Sequence, residues 1–368
     1  MTKVEVMDTA KKKVLIVDDS PVVRGILREI LAGSTQLEVV GEAEDPYDAR
    51  DKIKSLHPDV ITLDVEMPRM DGITFLENLM RLRPLPVVMI STLTAQGADV
   101  TLRALELGAV DFIEKPQHGL QDRVDDFSNE VIAKVVGAAG ARVSALASKR
   151  QLEVARRPAQ SAPSRVQPDK SRRPAAGAMA ARIVAIGAST GGTEAIKTVL
   201  RQLPVDMPGI VISQHIPAAF SGPFAKRVNG ECELSVCEAQ DGQEILPGHV
   251  YIAPGDRHLM VRRRLGSHFC RLDDGPKVNR HKPSVDVMLE SLASCKESEI
   301  IAVMLTGMGT DGACGMERLK ALGATTLVQD ERSSVVWGMP GEVVKRGAAD
   351  EVLDLQQIAE RLVQLACQ

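Results

Sequence analysis

Ser189 sits in the run Ile183-Val184-Ala185-Ile186-Gly187-Ala188-Ser189-Thr190-Gly191-Gly192-Thr193-Glu194, where apolar residues end in a Gly-rich turn and a helix-like segment begins at once. Such a strand–turn–helix can hold a serine on a sharp elbow, because Gly187-x-Ser189-x-Gly191 fits G-x-S-x-G. It can also cradle a phosphate on backbone N–H groups at a helix N-terminus. The first chemistry is acyl hydrolysis. The second is binding of a nucleotide or phosphorylated metabolite at the turn over 187–192.

The surrounding residues bear on the choice. A dinucleotide fingerprint needs G-x-G-x-x-G and an acid closing the second strand. Here the glycines fall at 187, 191 and 192, and the next apolar strand ends in Ser213-Gln214-His215. Gly-Lys-Ser/Thr is absent from the turn as well. A serine nucleophile instead needs a base and an orienting acid. His215 follows the second strand, and Asp311 lies in Thr306-Gly307-Met308-Gly309-Thr310-Asp311-Gly312 after a third, over 300–305. Neighbouring parallel strands bring Ser189, His215 and Asp311 to one sheet edge. Taken singly, Ser189 and Asp311 read equally well as helix caps, and His215 as a structural histidine. The order Ser…His…Asp is not that of α/β-hydrolases, so a different α/β sheet must carry the site. His258 and His281 are further candidates for lining a substrate groove.

A second constellation lies in the first third of the chain. Asp18 and Asp19 follow one apolar strand, Asp64 another, Ser91 a third and Lys115 a fourth. Ligands of parallel sheets gather at the carboxyl ends of the strands. Three clustered carboxylates call for a hard cation, Mg²⁺ above all. One carboxylate can then attack a phosphoryl group, with Ser91 and Lys115 holding its oxygens.

Continuous apolar strands alternating with helices must position both sets, which means parallel sheets covered on two faces. The first region has strands at 14–17, 37–41, 60–63, 86–90 and 112–113. Helices follow Ser20-Pro21 and Asp45, each with its cap. Residues 148–180 hold Pro158, Pro163, Pro168 and Pro174 among Arg, Ser, Gln and Ala, and read as a linker. From Arg182 a second α/β region begins, with strands at 182–186, 209–213, 300–305 and 325–328. Helices are expected at 193–203, 284–295 and 314–322. The β-like runs 250–253, 258–263 and 269–272 read as antiparallel ribbons inserted in a mainly parallel sheet.

Composition narrows the class. At 368 residues two domains are the natural expectation. A net charge of -4 speaks against bulk nucleic-acid binding, and the α/β pattern against a helix-turn-helix output domain. The six cysteines form no C-x-x-C pair, so they are expected to be reduced and mostly buried. No apolar run approaches a membrane span and no apolar signal core opens the chain, so a cytoplasmic protein without membrane insertion is expected.

Two resemblances follow from these motifs. Val17-Asp18-Asp19-Ser20, Asp64-Val65-Glu66-Met67-Pro68-Arg69-Met70-Asp71-Gly72 and Lys115-Pro116 resemble the receiver domain of two-component response regulators, a flavodoxin-like, doubly wound, five-stranded parallel sheet. That likeness implies that Asp64 accepts a phosphoryl group from a histidine kinase. It implies Mg²⁺ on Asp18, Asp19, Asp64 and the carbonyl of Glu66, with Ser91, Phe112 and Lys115 as the switch set. The segments 187–192, 214–217, 281–286, 305–312 and Trp337-Gly338-Met339-Pro340 resemble the chemotaxis protein-glutamate methylesterase family, the CheB type. This likeness implies hydrolysis of glutamyl methyl esters, and deamidation of certain glutamines, on methyl-accepting chemoreceptors. Ser189 would be the nucleophile, His215 the base and Asp311 its orienter, with Thr190 and Met308 N–H groups as oxyanion hole and no cofactor. The organisation expected is a receiver at 12–135, a linker at 148–180 and a catalytic domain at 181–368.

Overall fold

Val14, Leu15, Ile16 and Val17 are all fully buried, so β1 (Lys12–Val17) has no solvent face along this run and must lie inside a sheet. The structure is a computed structural model that describes residues 10–91, 95–115, 124–141, 182–295 and 299–367. The linker expected at 148–180 and Pro116 lie outside the described residues. The chain divides into two units, residues 1–147 and 148–368, each described here by itself.

In the first unit β1 pairs in parallel with β2 (Leu37–Ala43) and β3 (Val60–Asp64). β4 (Val87–Ser91) and β5 (Asp111–Glu114) extend the five-stranded order β2-β1-β3-β4-β5. The intervening helices are α1 (Pro21–Ala32), α2 (Pro46–Leu56), α3 (Gly72–Leu82), α4 (Ala95–Leu107) and α5 (Val124–Ala139). Two starts are as the sequence requires. Ser20 caps α1 by accepting from the Val23 N–H at 3.4 Å, and Asp45 caps α2 through Tyr47 and Asp48 at 2.8 and 2.9 Å.

The second unit is built on a seven-stranded sheet, β14-β13-β12-β6-β7-β9-β8. Its strands are β6 (Arg182–Ala188), β7 (Gly209–Gln214), β8 (Ser235–Glu238), β9 (His249–Ile252), β12 (Glu299–Met304), β13 (Thr325–Gln329) and β14 (Glu351–Leu353). Every pairing recorded in it is parallel. The antiparallel ribbon is β10 (His258–Arg264) with β11 (Ser267–Asp273) alone. The run at 250–253 instead enters the parallel sheet as β9, because Val250, Tyr251 and Ile252 are all buried and need cover on both faces. Helices α6 (Gly192–Leu200), α7 (Ala218–Asn229), α8 (Val285–Leu292), α9 (Ala313–Ala321), α10 (Met339–Lys345) and α11 (Leu355–Ala366) complete the unit. All six cysteines are free, but they are not mostly buried: Cys270 and Cys295 are buried, Cys232 and Cys237 half-buried, and Cys314 and Cys367 exposed.

Candidate active site and candidate phosphoacceptor site

β6 lies between β12 and β7, and the loops after these three strands meet at one edge. Hydrogen bonds continue past the strand ends. Ser189 N–H donates to Thr306 O at 3.0 Å and His215 N–H to Ala188 O at 3.2 Å. The Gln214 amide donates to both Ser189 O and His215 O at 3.0 Å, clamping the serine loop to the histidine loop. Gly191 has φ +75°, and a side chain there would meet Val335 at 2.7 Å, so the elbow requires glycine.

Ser189, His215 and Asp311 come together in this frame. Ser189 Oγ lies 3.1 Å from His215 Nδ1, and His215 Nε2 lies 2.8 Å from Asp311 Oδ2. Burial acts to raise the Asp311 pKa. Hydrogen bonds from His215, Asn279 and the Val285 N–H outweigh it and hold the carboxyl below the usual range, so it is ionised. An ionised carboxylate only accepts, so Nε2 must carry a hydrogen towards it, and it is Nδ1 that faces the serine. The ring is therefore turned end for end relative to the Nε2-to-serine template.

Two neighbours complete this edge. The His281 ring stacks on His215, with centroids 3.6 Å and planes 9° apart. Gly307 approaches Ser189 so closely that a side chain on it would fall 2.9 Å from Ser189 Cβ, so the loop after β12 lies directly against the serine. Thr190 is buried. His258 does not line a groove. It is 1% exposed, accepts from Ser284 N–H at 3.1 Å through Nδ1, and donates to Pro276 O at 2.9 Å, so it braces the loop before α8. Two of the turn's amides are spent internally, the Ser189 N–H on Thr306 O at 3.0 Å and the Gly192 N–H on Ser189 O at 2.7 Å. The phosphate-cradle reading finds no support.

Sequence reasoning missed several polar groups that hold this edge, namely Gln214, Asn279, Ser284 and Thr306. The Thr306 hydroxyl bonds Thr190 O at 3.0 Å and accepts from Val336 N–H at 3.0 Å, joining the walls of the site. Their only signal is that Gln214 is a polar residue closing the buried strand β7 and that polar residues gather over 279–286 just before α8.

The first unit gathers its expected residues at the carboxyl ends of β1, β3, β4 and β5. Asp18, Asp19 and Asp64 each offer an oxygen, all within 4.8 Å of one another. Lys115 Nζ lies 3.0 Å from Asp18 Oδ2 and 2.8 Å from Asp64 Oδ2. Burial above all pushes the Asp64 pKa up to about 6; the Asp18 charge adds to this and Lys115 opposes it. One lysine against three carboxylates leaves excess negative charge, and the all-oxygen donors fit a hard divalent cation. Ser91 Oγ accepts from Thr101 at 2.9 Å. Phe112 is buried, with Lys134 Nζ 5.1 Å from its ring centroid. Glu66 is exposed, and its N–H reaches Asp64 Oδ1 at 3.4 Å.

Fold and sites together define a response-regulator class: an acidic receiver sheet in one chain with an α/β unit that carries a serine–histidine–aspartate edge. Comparison with known proteins agrees. Residues 14–124 match the response regulator receiver domain family and residues 184–362 the CheB methylesterase family. A protein-glutamate methylesterase/protein-glutamine glutaminase of Hydrogenovibrio crunogenus is 53% identical over 97% of this chain and 99% of its own length. One from Xanthomonas euvesicatoria pv. vesicatoria is 54% identical over 97% of this chain and 98% of its own. The crystal structure of the Thermotoga maritima CheB methylesterase catalytic domain shows 43% identity, covering 50% of this chain and 97% of that one, with a TM-score of 0.49. The chain belongs to the protein-glutamate methylesterase/protein-glutamine glutaminase family.

Proposed function

We propose that the protein is a phosphorylation-activated hydrolase that demethylates glutamyl methyl esters, and deamidates certain glutamines, on methyl-accepting chemoreceptors. The observation that carries this is the hydrogen-bonded line from Ser189 Oγ through His215 to Asp311 Oδ2. Ser189 attacks the acyl carbon while its proton passes to His215 Nδ1. The imidazolium that forms is stabilised by Asp311. The developing oxyanion is received by the N–H groups of Thr190 and Met308; the Ser189 N–H is already committed to Thr306. His215 then returns the proton to the leaving group, as methanol from an ester or ammonia from an amide. Water attacks the acyl-enzyme by the same route and restores Ser189. These residues complete the cycle without a cofactor.

Control lies in the receiver, for which we take 12–135, ahead of a linker at 148–180 and a catalytic domain at 181–368. Asp64 accepts the phosphoryl group from a histidine kinase. Asp18, Asp19, Asp64 and the Glu66 carbonyl hold Mg²⁺, which when bound neutralises phosphoryl and carboxylate charge. Lys115 and Ser91 hold the phosphoryl oxygens, and Phe112 serves as the switch aromatic. Among the described residues no helix is long and apolar enough to cross a membrane, and we place the protein's work in the cytoplasm.

Methanol release from methylated receptor tests the reading. It should vanish in Ser189→Ala and fall steeply in His215→Ala. Full activity in both variants would refute the assignment.

A further inference from the structure

Asp311 is held by far more than His215. Its Oδ1 accepts from Ser284 Oγ at 2.8 Å, Asn279 Nδ2 at 2.7 Å and the Asp286 N–H at 3.3 Å. Its Oδ2 accepts from the Val285 N–H at 2.7 Å besides His215. A carboxylate has about four lone-pair sites, so this one is saturated. Four of these donors come from the single segment 279–286.

Asn279 differs from the other donors because it also serves a second carboxylate. Its Nδ2 lies 2.7 Å from Asp286 Oδ2 as well as 2.7 Å from Asp311 Oδ1. An amide nitrogen carries two hydrogens, so each carboxylate receives one. Asp286 is 7% exposed, and its Oδ1 accepts from the Gly315 N–H at 2.7 Å, at the start of α9. The backbone suits this bridge. Val278 and His281 exchange hydrogen bonds of 3.0 and 2.8 Å, and Asn279 and Arg280 have φ of 51° and 70°. This is a tight type I′ turn, in which Asn is one of the few side chains at ease. Asn279 thus sits on an exposed turn while its amide reaches inward between two buried acids.

We propose that Asn279 and Asp286 are positioning residues of the hydrolytic site, in which the Asn279 amide couples the Asp286 carboxylate to Asp311 and the pair fixes the acid that orients His215. The inference rests on the reading of Ser189, His215 and Asp311 as the reacting set. Asp286 places a second negative charge behind Asp311, where it favours the imidazolium formed as Ser189 loses its proton. Asn279 puts N–H donors between two acids that would otherwise repel. Consistent with this, burial and then the Asp311 charge push the Asp286 pKa above its ordinary value, while the Gly315 and Gly312 N–H groups and Asn279 restrain it. The groups that face the pair are His215, with His281 stacked on it, and His258, which reaches it through the Ser284 N–H.

The test uses the full chain and methanol release from methylated receptor. Asn279→Gly removes the amide yet keeps the left-handed backbone free of strain. Asp286→Asn removes a charge at constant shape. Circular dichroism and melting curves establish that each variant is folded; if Asn279→Gly is not, Asp286→Asn carries the test alone. In Asn279→Gly, kcat should fall about 10- to 100-fold, as for loss of a hydrogen bond to a charged group, with KM little changed. In Asp286→Asn the acid limb of kcat/KM should move to lower pH, because a nearby negative charge no longer favours the imidazolium. The double variant should lose less than the product of the single losses, because one charge of the bridged pair is gone. Unchanged kcat and an unmoved acid limb would overturn the proposal. So would losses that multiply with no shift of the limb, as a merely structural role predicts. Ser189→Ala separates the two levels: if it is inactive while the Asn279 and Asp286 variants behave as wild type, this proposal alone fails. If it is active, the reacting set itself is wrong.

Discussion

Asp64 and Asp311 are the same residue type, both nearly sealed from solvent, both at the carboxyl edge of a parallel sheet in one chain. Their proton affinities move in opposite directions. Asp64 is pushed up to about 6 by burial, with Asp18 adding to it. Asp311 is buried too, but donors on both oxygens drive it below the usual range. Burial is common to both, so the neighbours decide. Carboxylates facing carboxylates, with Lys115 as their counter-charge, leave excess negative charge around Asp64, as the proposed cation and phosphoryl chemistry would require. Carboxylate facing N–H and O–H groups makes Asp311 a fixed anion that can orient an imidazole but not react. The sheet edge supplies the place, and the donor count supplies the role.

The largest effects follow from removing the reacting line. Ser189→Ala should lower methanol release by about 10⁴-fold or more. Asp311→Asn should cost about 10³- to 10⁴-fold, because an amide in this nest no longer fixes the Nε2 hydrogen. A loss below about tenfold would mean that Asp311 is a structural cap and that the contrast with Asp64 is empty.

The next effect is on control. Asp64→Asn should abolish the increase in methanol release caused by a small phosphodonor. A variant that still responds would move the phosphoacceptor elsewhere.

Acid should also separate the two carboxylates. The folded pKa of Asp311 is depressed, so its stabilising contribution is complete above its unfolded value of about 3.9 and fades as pH falls through the folded value. The difference in melting temperature between wild type and Asp311→Asn should therefore shrink below about pH 4. A difference that stays constant to pH 2 would show that the ionised carboxylate is not what the nest stabilises.

The smallest effect concerns the cation. Mg²⁺ at about 100 times its dissociation constant should stabilise the native chain by about 2.7 kcal/mol. Asp19→Asn should reduce the gain in melting temperature at fixed Mg²⁺. An equal gain in wild type and variant would remove Asp19 from the cation site.

Much of this organisation was legible in the sequence, for a physical reason. A fully buried parallel strand is largely apolar, so a polar residue at its end or just past it stands out, as Asp18, Asp64, Ser189 and His215 do. Caps such as Ser20 and Asp45 announce helix starts through their own local bonds. What stayed hidden depends on distant partners. Gln214 acts on Ser189, Thr306 on Thr190, and Asn279 on Asp311; nothing in their local spacing says so. Short polar edge strands escaped as well, because β8 and β14 are half-covered and lack an apolar run. Pro223 inside α7 concealed that helix. The run at 250–253 was ambiguous because a short apolar stretch does not declare whether its partner is parallel or antiparallel.

The decisive measurement is methanol release from methylated receptor, with and without a small phosphodonor, for wild type, Ser189→Ala and Asp64→Asn. Wild type should release methanol faster with phosphodonor, Asp64→Asn should show no increase, and Ser189→Ala should release none under either condition. Wild-type rates in Ser189→Ala, or an undiminished phosphodonor response in Asp64→Asn, would contradict a serine hydrolase governed by receiver phosphorylation.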